Sequence, residues 1–232
     1  MAQLSARPSR RRPVATGYAR GDETKRRIVE TALDVFGASG FDSASTRTIA
    51  KRAGVNLPAL QYYFGGKEGL YLACAHHIAD VVGERLNLLA ERIEAALAEP
   101  APSKADLLAL LRSLIDASAE RLVGVPDSEN WVLFMVREQA HPTAAFDIVY
   151  ERILKRLVQV CARLLGLILE EPADATATLV RAIAIVSQFL FFVRAREAAL
   201  RLLGWPDFEG DRLAQIKQIL WTQTEAALTR AS

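Results

Sequence analysis

Between Leu57 and Lys67 the chain reads LPALQYYFGGK, and Thr46 and Arg47 stand a short way upstream. These residue types suit contact with a polyanion that carries information in its bases. The amide of Gln61 both donates and accepts, and a side-chain amide can pair with adenine N6 and N7. Leu57, Pro58 and Ala59 are apolar, and Leu57 and Ala59 can meet thymine methyl groups. Tyr62, Tyr63, Thr46, Arg47 and the ammonium of Lys67 can hold phosphate oxygens. Tyr62 ranks above Tyr63, which can instead sit half-buried against the first helix. Nothing in the segment suits bond-breaking chemistry. The chain has no nucleophile elbow, no phosphate-cradling glycine loop and no readable His/Asp/Ser arrangement, so an enzyme is not expected. No cofactor is implied, and no metal site either. His76 and His77 are adjacent and would project about 100° apart on a helix, a poor pair for chelation.

The elements that must position these residues are short helices. Ser45 is placed to cap a helix over Thr46 to Arg52, whose apolar Ile49, Ala50 and Ala53 are closely spaced among Arg47, Lys51 and Arg52. Gly54 follows, where glycine supplies a left-handed backbone without a Cβ clash. Asn56 is a second cap, Pro58 is tolerated in the first turn, and Gly65-Gly66 ends the second helix. Ile49, Ala50, Val55, Leu60 and Phe64 are expected in the core. Two helices joined by a short glycine turn make a helix-turn-helix, whose second helix reads the major groove. Upstream, Ile28, Ala32, Leu33 and Phe36 form one stripe of a helix over Asp22 to Ser39, with Gly40 as its stop and Phe41 returning to the same core.

The run TKRRIVETALDVFGASGFDSASTRTIAKRAGVNLPALQYYFGGKEGLY, Thr24 to Tyr71, resembles the DNA-binding domain of the TetR family of bacterial transcriptional regulators. The resemblance rests on the ordered Ala32/Phe36/Gly40/Phe41 pattern, the Thr-Ile-Ala run, the Ala-Gly-Val turn, the Tyr-Tyr-Phe triplet and the Lys67-Glu68 step. REQAHPTAAFDIVYERI, Arg137 to Ile153, is similar to the CecR/CerR-type subgroup. The resemblance implies an all-α protein in two parts: a three-helix DNA-binding domain over 21–68 and a larger helical domain over 69–232 that binds a small ligand and dimerises. It implies a homodimer on a palindromic double-stranded operator, acting as a repressor released by a small-molecule effector. An activator, or a regulator without a ligand, would carry the same motif.

Composition fits this division. The chain has 232 residues, 51% of them hydrophobic and 7% aromatic, enough to bury a large core. Residues 1–67 hold 12 Lys/Arg against 5 Asp/Glu, while the rest hold 17 against 22. A basic first part on an acidic remainder points to a polyanion partner for the first part alone. Residues 1–20, with Arg7, Arg10, Arg11, Arg12 and Arg20 among Pro, Ser and Gly, read as a disordered basic arm. The arm either reaches phosphates or the minor groove or serves solubility only. Cys74 and Cys161 lack C-x-x-C spacing, and no secretory segment opens the chain, which suits a reducing cytoplasm. The apolar run from Leu179 to Val193 carries Arg181 and Gln188 and reads as a buried helix, not a membrane span.

The larger domain is expected to hold long helices separated by Pro and Gly breaks, among them one from Thr143 to about Glu170 and one from Ala175 to about Leu202. Ile183, Val186, Leu190 and Val193 make one stripe and Leu213, Ile216, Ile219 and Leu220 another. Either intrachain core or a four-helix dimer interface through the last two helices accounts for them. Candidates for the ligand pocket are Trp131, Phe134, Arg137, Glu138, His141, Gln188 and Phe192, with Met135, Tyr150, Phe189 and Arg194 beside them.

Overall fold

Ser45, Asn56, Ser103 and Thr143 stand where helices must begin, and each places a side-chain oxygen on a free N–H of the following turn. At Ser103 the cap is reciprocal, since Asp106 accepts from the Ser103 backbone while Ser103 accepts from Asp106. The computed structural model describes residues 15–98, 102–124 and 129–231. The described elements are helical throughout: α1 (Ala15–Ser43), α2 (Thr46–Arg52), α3 (Leu57–Phe64), α4 (Lys67–Ala98), α5 (Lys104–Leu122), α6 (Glu129–Ala140), α7 (Ala144–Val149), α8 (Lys155–Leu169), α9 (Thr176–Ser187), α10 (Leu190–Arg194), α11 (Arg196–Leu203) and α12 (Gly210–Ala231). A π turn at Tyr150–Leu154 joins α7 to α8.

Several sequence expectations are revised. The first helix begins at Ala15 and not at Asp22, so the expected arm is helical over its last residues; residues 1–14 lie outside the described part. The Gly40 stop is present within α1 as a kink with φ +77. The expected single helix from Thr143 carries the π turn. The expected helix from Ala175 to Leu202 is three helices, turning at Gln188–Phe189 and again at Ala195. The bends turn Phe189 into the core and let Arg196 donate from Nη1 to the carbonyl of Val123 at 2.8 Å.

The buried residues form two cores. The first joins α1, α2, α3 and the first half of α4, as far as Leu86, to Phe134 and Met135 of α6, Ala145 and Val149 of α7, and Ile153 of the π turn. The second joins the rest of α4, from Ala90, to α5 and α8–α12, with Leu157, Leu164, Phe189 and Phe208 among its members. The core under the helix-turn-helix therefore extends well past residue 68. The long helix α4 passes from one core into the other, and so does the α7–α8 helix at its π turn.

The first core is closed by polar ties. Arg137 of α6 donates from Nε to the carbonyl of Gly37 and from Nη2 to that of Ala38, both at 3.0 Å. It thus serves the free carbonyls where α1 ends at its kink. Beside it Glu138, buried to 2% exposure, accepts from Tyr71 Oη of α4 at 2.6 Å. Its other oxygen accepts from Thr143 N, Thr143 Oγ1 and Phe146 N at 3.1, 2.8 and 3.0 Å, and so caps α7. Burial, and then the bond to Glu138, push the Tyr71 phenol above its ordinary range, so it stays a donor. Tyr71 also packs on Phe36, Phe41 and Phe134, with ring centroids 4.5 to 5.0 Å away.

Cys74 and Cys161 are buried, and burial raises both thiols, Cys161 to about 12. Neither has the exposed thiolate that a redox sensor needs.

Glu138→Ala leaves Tyr71 Oη and two backbone N–H groups without their partner and should cost at least about 3 kcal/mol. Tyr71→Phe removes one donor and keeps the ring, and should cost about 1–2 kcal/mol. Urea unfolding of both variants checks the order. Equal losses would mean that the carboxylate does not hold α7.

Candidate nucleic-acid interface and ligand cavity

The recognition helix α3 is held from both ends. Asn56 Oδ1 accepts from Ala59 N at 2.8 Å, and Gly65, at φ +70, closes the helix by donating to the carbonyl of Gln61. Leu60 is its buried anchor, with Val55 and Phe64 packed on the same core. Ile49 and Ala50 anchor α2. Arg27 of α1 donates to the carbonyl of Ala53 at 3.0 Å, and Arg52 pairs with Asp34 of α1. These contacts fix the helix pair against α1 and leave one face outward.

That face carries the candidates. Leu57, Pro58, Gln61 and Tyr62 are exposed, Tyr62 to 85%, and Arg47 is exposed on α2 with Thr46 half-buried before it. Ala59 is half-buried. Tyr63 is half-buried too, its ring 5.7 Å from the ammonium of Lys25 on α1, so its edge and not its whole ring faces out. Two of the candidate contacts are already engaged. Gln61 Nε2 donates to the carbonyl of Gly65 at 2.9 Å, so its amide closes its own helix end. Lys67 Nζ donates to the carbonyl of Asp42 at 3.0 Å and lies 4.7 Å from the centre of the Phe41 ring. The ammonium is thereby held at the start of α4, where free N–H groups also favour an anion.

The pocket candidates do not converge on one space. Arg137, Glu138 and His141 line a cleft of about 710 Å³ between the end of α1, α4 and the α6–α7 corner. Phe134 is fully buried beneath it against Tyr71. Trp131 and Met135 line a separate, smaller cavity of about 90 Å³ together with Arg194. Phe192 packs on Phe208 in the second core, where Phe189 is also buried. Gln188 faces a groove between α9 and α12, and its Nε2 is buried without a partner among the described residues. Tyr150 stacks on Phe146.

The small cavity lies where the two cores meet. Ile78, Val82, Leu86, Val149 and Ile153 reach it from the first core, and Leu157, Val186 and Val193 from the second. Sequence reading missed Gln139, the second polar residue of its lining. Its neighbours Arg137 and Glu138 drew attention instead because they are charged. Sequence reading also missed Tyr71, whose signal was its place at the end of the KEGLY step.

The two expected stripes divide between inside and outside. Val186 and Val193 line the cavity, and Ile216 and Leu220 are buried in the second core. Leu190 lines the cavity too while staying partly open to solvent, and Ile183 and Ile219 are exposed, as are Val180 and Phe191. The apolar stretch Thr176–Arg194 is long and apolar enough to cross a membrane by length and composition, yet it bends at Gln188. Only 17% of its most apolar window is buried, which corrects the expectation of a buried helix. Its outer side is an uncovered apolar face.

Comparison with known proteins agrees with this architecture. Residues 28–74 match the family described as bacterial regulatory proteins, tetR family. Residues 107–229 match the C-terminal domain of the HTH-type transcriptional dual regulator CecR. The CecR protein of Shigella flexneri is 35% identical over 203 residues, covering 86% of this chain and 88% of that protein. Among solved structures, a TetR-like transcriptional regulator from Rhodococcus sp. RHA1 superimposes with a TM-score of 0.54 at 21% identity, covering 93% of this chain and 99% of that one. HlyIIR, a hemolysin II transcriptional regulator, does so with a TM-score of 0.56 at 15% identity, covering 86% and 97%. At these identities the structures share the fold.

Lys67→Ala should weaken binding to every duplex and lower the slope of log affinity against log salt by about one. Tyr62→Phe should weaken binding more mildly, through loss of one hydroxyl. Fluorescence anisotropy across a salt series reads both, and an unchanged slope in Lys67→Ala would remove Lys67 from the phosphate contacts.

Proposed function

Since this chain belongs to the TetR family of bacterial transcriptional regulators, we propose that it is a dimeric, ligand-responsive regulator released from its operator by a small molecule. The observation that carries the reading is the placement of the small cavity between the two cores, one of which holds the helix-turn-helix. A ligand there touches α4, which starts at Lys67 beside the recognition helix, and α6, whose Arg137 and Glu138 tie α1, α4 and α7 together. At about 90 Å³ the cavity is smaller than the ~150 Å³ cavity known to admit benzene. A larger ligand enters only by widening the seam. It therefore binds the widened state better, and differential affinity of this kind is what a ligand needs to shift an equilibrium.

Thr46, Arg47, Leu57, Pro58, Ala59, Gln61, Tyr62, Tyr63 and Lys67 form the proposed operator contacts. Gln61 has to leave the Gly65 carbonyl before its amide can meet a base. The exposed apolar face with Val180, Ile183 and Phe191, and with Ile219 on α12, supports a two-fold interface through α9, α10 and α12. A second copy covers that face, and two recognition helices then meet a palindromic site. The relative from Shigella flexneri is named a dual regulator, which favours activation at some promoters beside repression at others.

Selection of genomic fragments by the purified protein should yield a near-palindromic operator bound by two chains. Ile183→Glu should give a monomer in analytical ultracentrifugation and lower operator affinity at least about ten-fold. A dimeric Ile183→Glu protein with full affinity would place the interface elsewhere. A protein that retains no fragment above a scrambled control would overturn the regulator reading itself.

A further inference from the structure

The lining of the seam cavity has an uneven chemistry. Leu86, Trp131, Met135, Ile153 and Leu190 are typical of its walls, and among the described residues Gln139 and Arg194 are the ones that bring an amide and a charge to it. Among the described residues no acidic one lines it. Arg194 lies at the end of α10 and is exposed, and its side chain makes no ion pair or hydrogen bond with any described residue. Several other arginines around the second core are paired. Arg181 pairs with Glu171, Arg212 with Asp207, and Arg201 with Glu197. Among the described residues Arg194 thus has no counter-charge at the edge of an apolar space, with the Gln139 amide as a second donor. An anionic head group can take two parallel bonds from a guanidinium, while a cationic one would be repelled and would leave the cavity without a counter-charge.

We infer that the cavity takes a small amphipathic carboxylate, its hydrocarbon body between the two cores and its carboxylate on Arg194 and Gln139. This rests on the proposal that the seam cavity is the effector site. The same feature separates the head group from the body: the body widens the seam, and the head group, fixed at the end of α10, sets which bodies are accepted. A carboxylate on a short chain binds through the arginine. A neutral molecule of the same size has only its apolar surface.

Calorimetric titration of the full-length protein with hexanoate, 1-hexanol and hexylamine tests this. Hexanoate should bind at least about ten-fold more tightly than 1-hexanol, and hexylamine should not bind. Arg194→Gln should bring hexanoate down to the level of 1-hexanol and leave 1-hexanol unchanged. Arg163→Gln, an exposed arginine outside the cavity, should change neither. Arg194 is exposed, so its variant should fold, and thermal unfolding of the ligand-free protein checks this. Equal affinity for the three compounds, an unaltered preference in Arg194→Gln, or no saturable binding of any of them at millimolar concentration would overturn the inference. Anisotropy of the selected operator, run beside it, separates the two failures. A protein that binds its operator without preferring the anion keeps the regulator reading and loses this one. A protein that binds no operator loses the regulator reading whatever the calorimetry gives.

Discussion

A carboxylate buried to 2% exposure has to be satisfied by hydrogen bonds, because leaving it bare inside the protein costs several kcal/mol. Glu138 meets this demand with donors from three directions: the Tyr71 hydroxyl of α4 and the Thr143 and Phe146 groups at the start of α7. Those elements cannot drift apart without exposing the charge. Arg137, its neighbour in sequence, turns the other way and holds the end of α1. Two consecutive residues of α6 thus determine how the first, fourth and seventh helices meet, and the aromatic group of Phe36, Phe41, Tyr71 and Phe134 fills the space they enclose.

The consequence for function is that the helix-turn-helix is not an independent module on a tether. Its apolar core runs into α6 and α7, so a force on those helices reaches α1 and α4 through packed side chains and short polar ties. The compliant place is the seam between the cores. Among the described residues α4 and the α7–α8 helix cross it, α5 reaches it at Leu122, and a cavity already lies there. Close-packed interiors resist gradual deformation, so a small ligand at a seam favours one of two discrete packings over a graded shift.

The DNA-binding end was legible in the sequence because its rules are local. Caps at Ser45 and Asn56, the glycine turn and the spacing of Ile49, Leu60 and Phe64 depend on residues a few positions apart, and the structure follows them. The half-buried Tyr63 was open to the same reading. The larger part was less legible because its outcome depends on distant partners. Val186 and Ile183 stand three apart on one helix, and both fitted either core or interface, yet one lines a cavity and the other is exposed. Periodicity marks a face as apolar without saying what covers it. The bends at Gln188 and Ala195 were hidden for a similar reason, since no proline or glycine marks them and the contact of Arg196 lies on Val123, far along the chain. Arg137 and Glu138 stood among the ligand-pocket candidates; that their partners are backbone carbonyls, a tyrosine and the start of α7 required the fold.

The π turn at Tyr150–Leu154 bears on how chain length is constrained. A π turn holds one residue more than an α turn, so it advances the helix beyond it by roughly 100° relative to an uninterrupted α-helix. Here that offset lets Val149 and Ile153 face the first core while Leu157 and Leu164 face the second. A straight α-helix of the same sequence would turn the whole of α8 by that angle and carry its apolar stripe away from α5 and α9. One residue fewer between Thr143 and Lys155 would instead restore a regular helix and leave α8 facing as it does. This turn is therefore the place in the α7–α8 helix where a residue can be lost while the packing beyond it is kept.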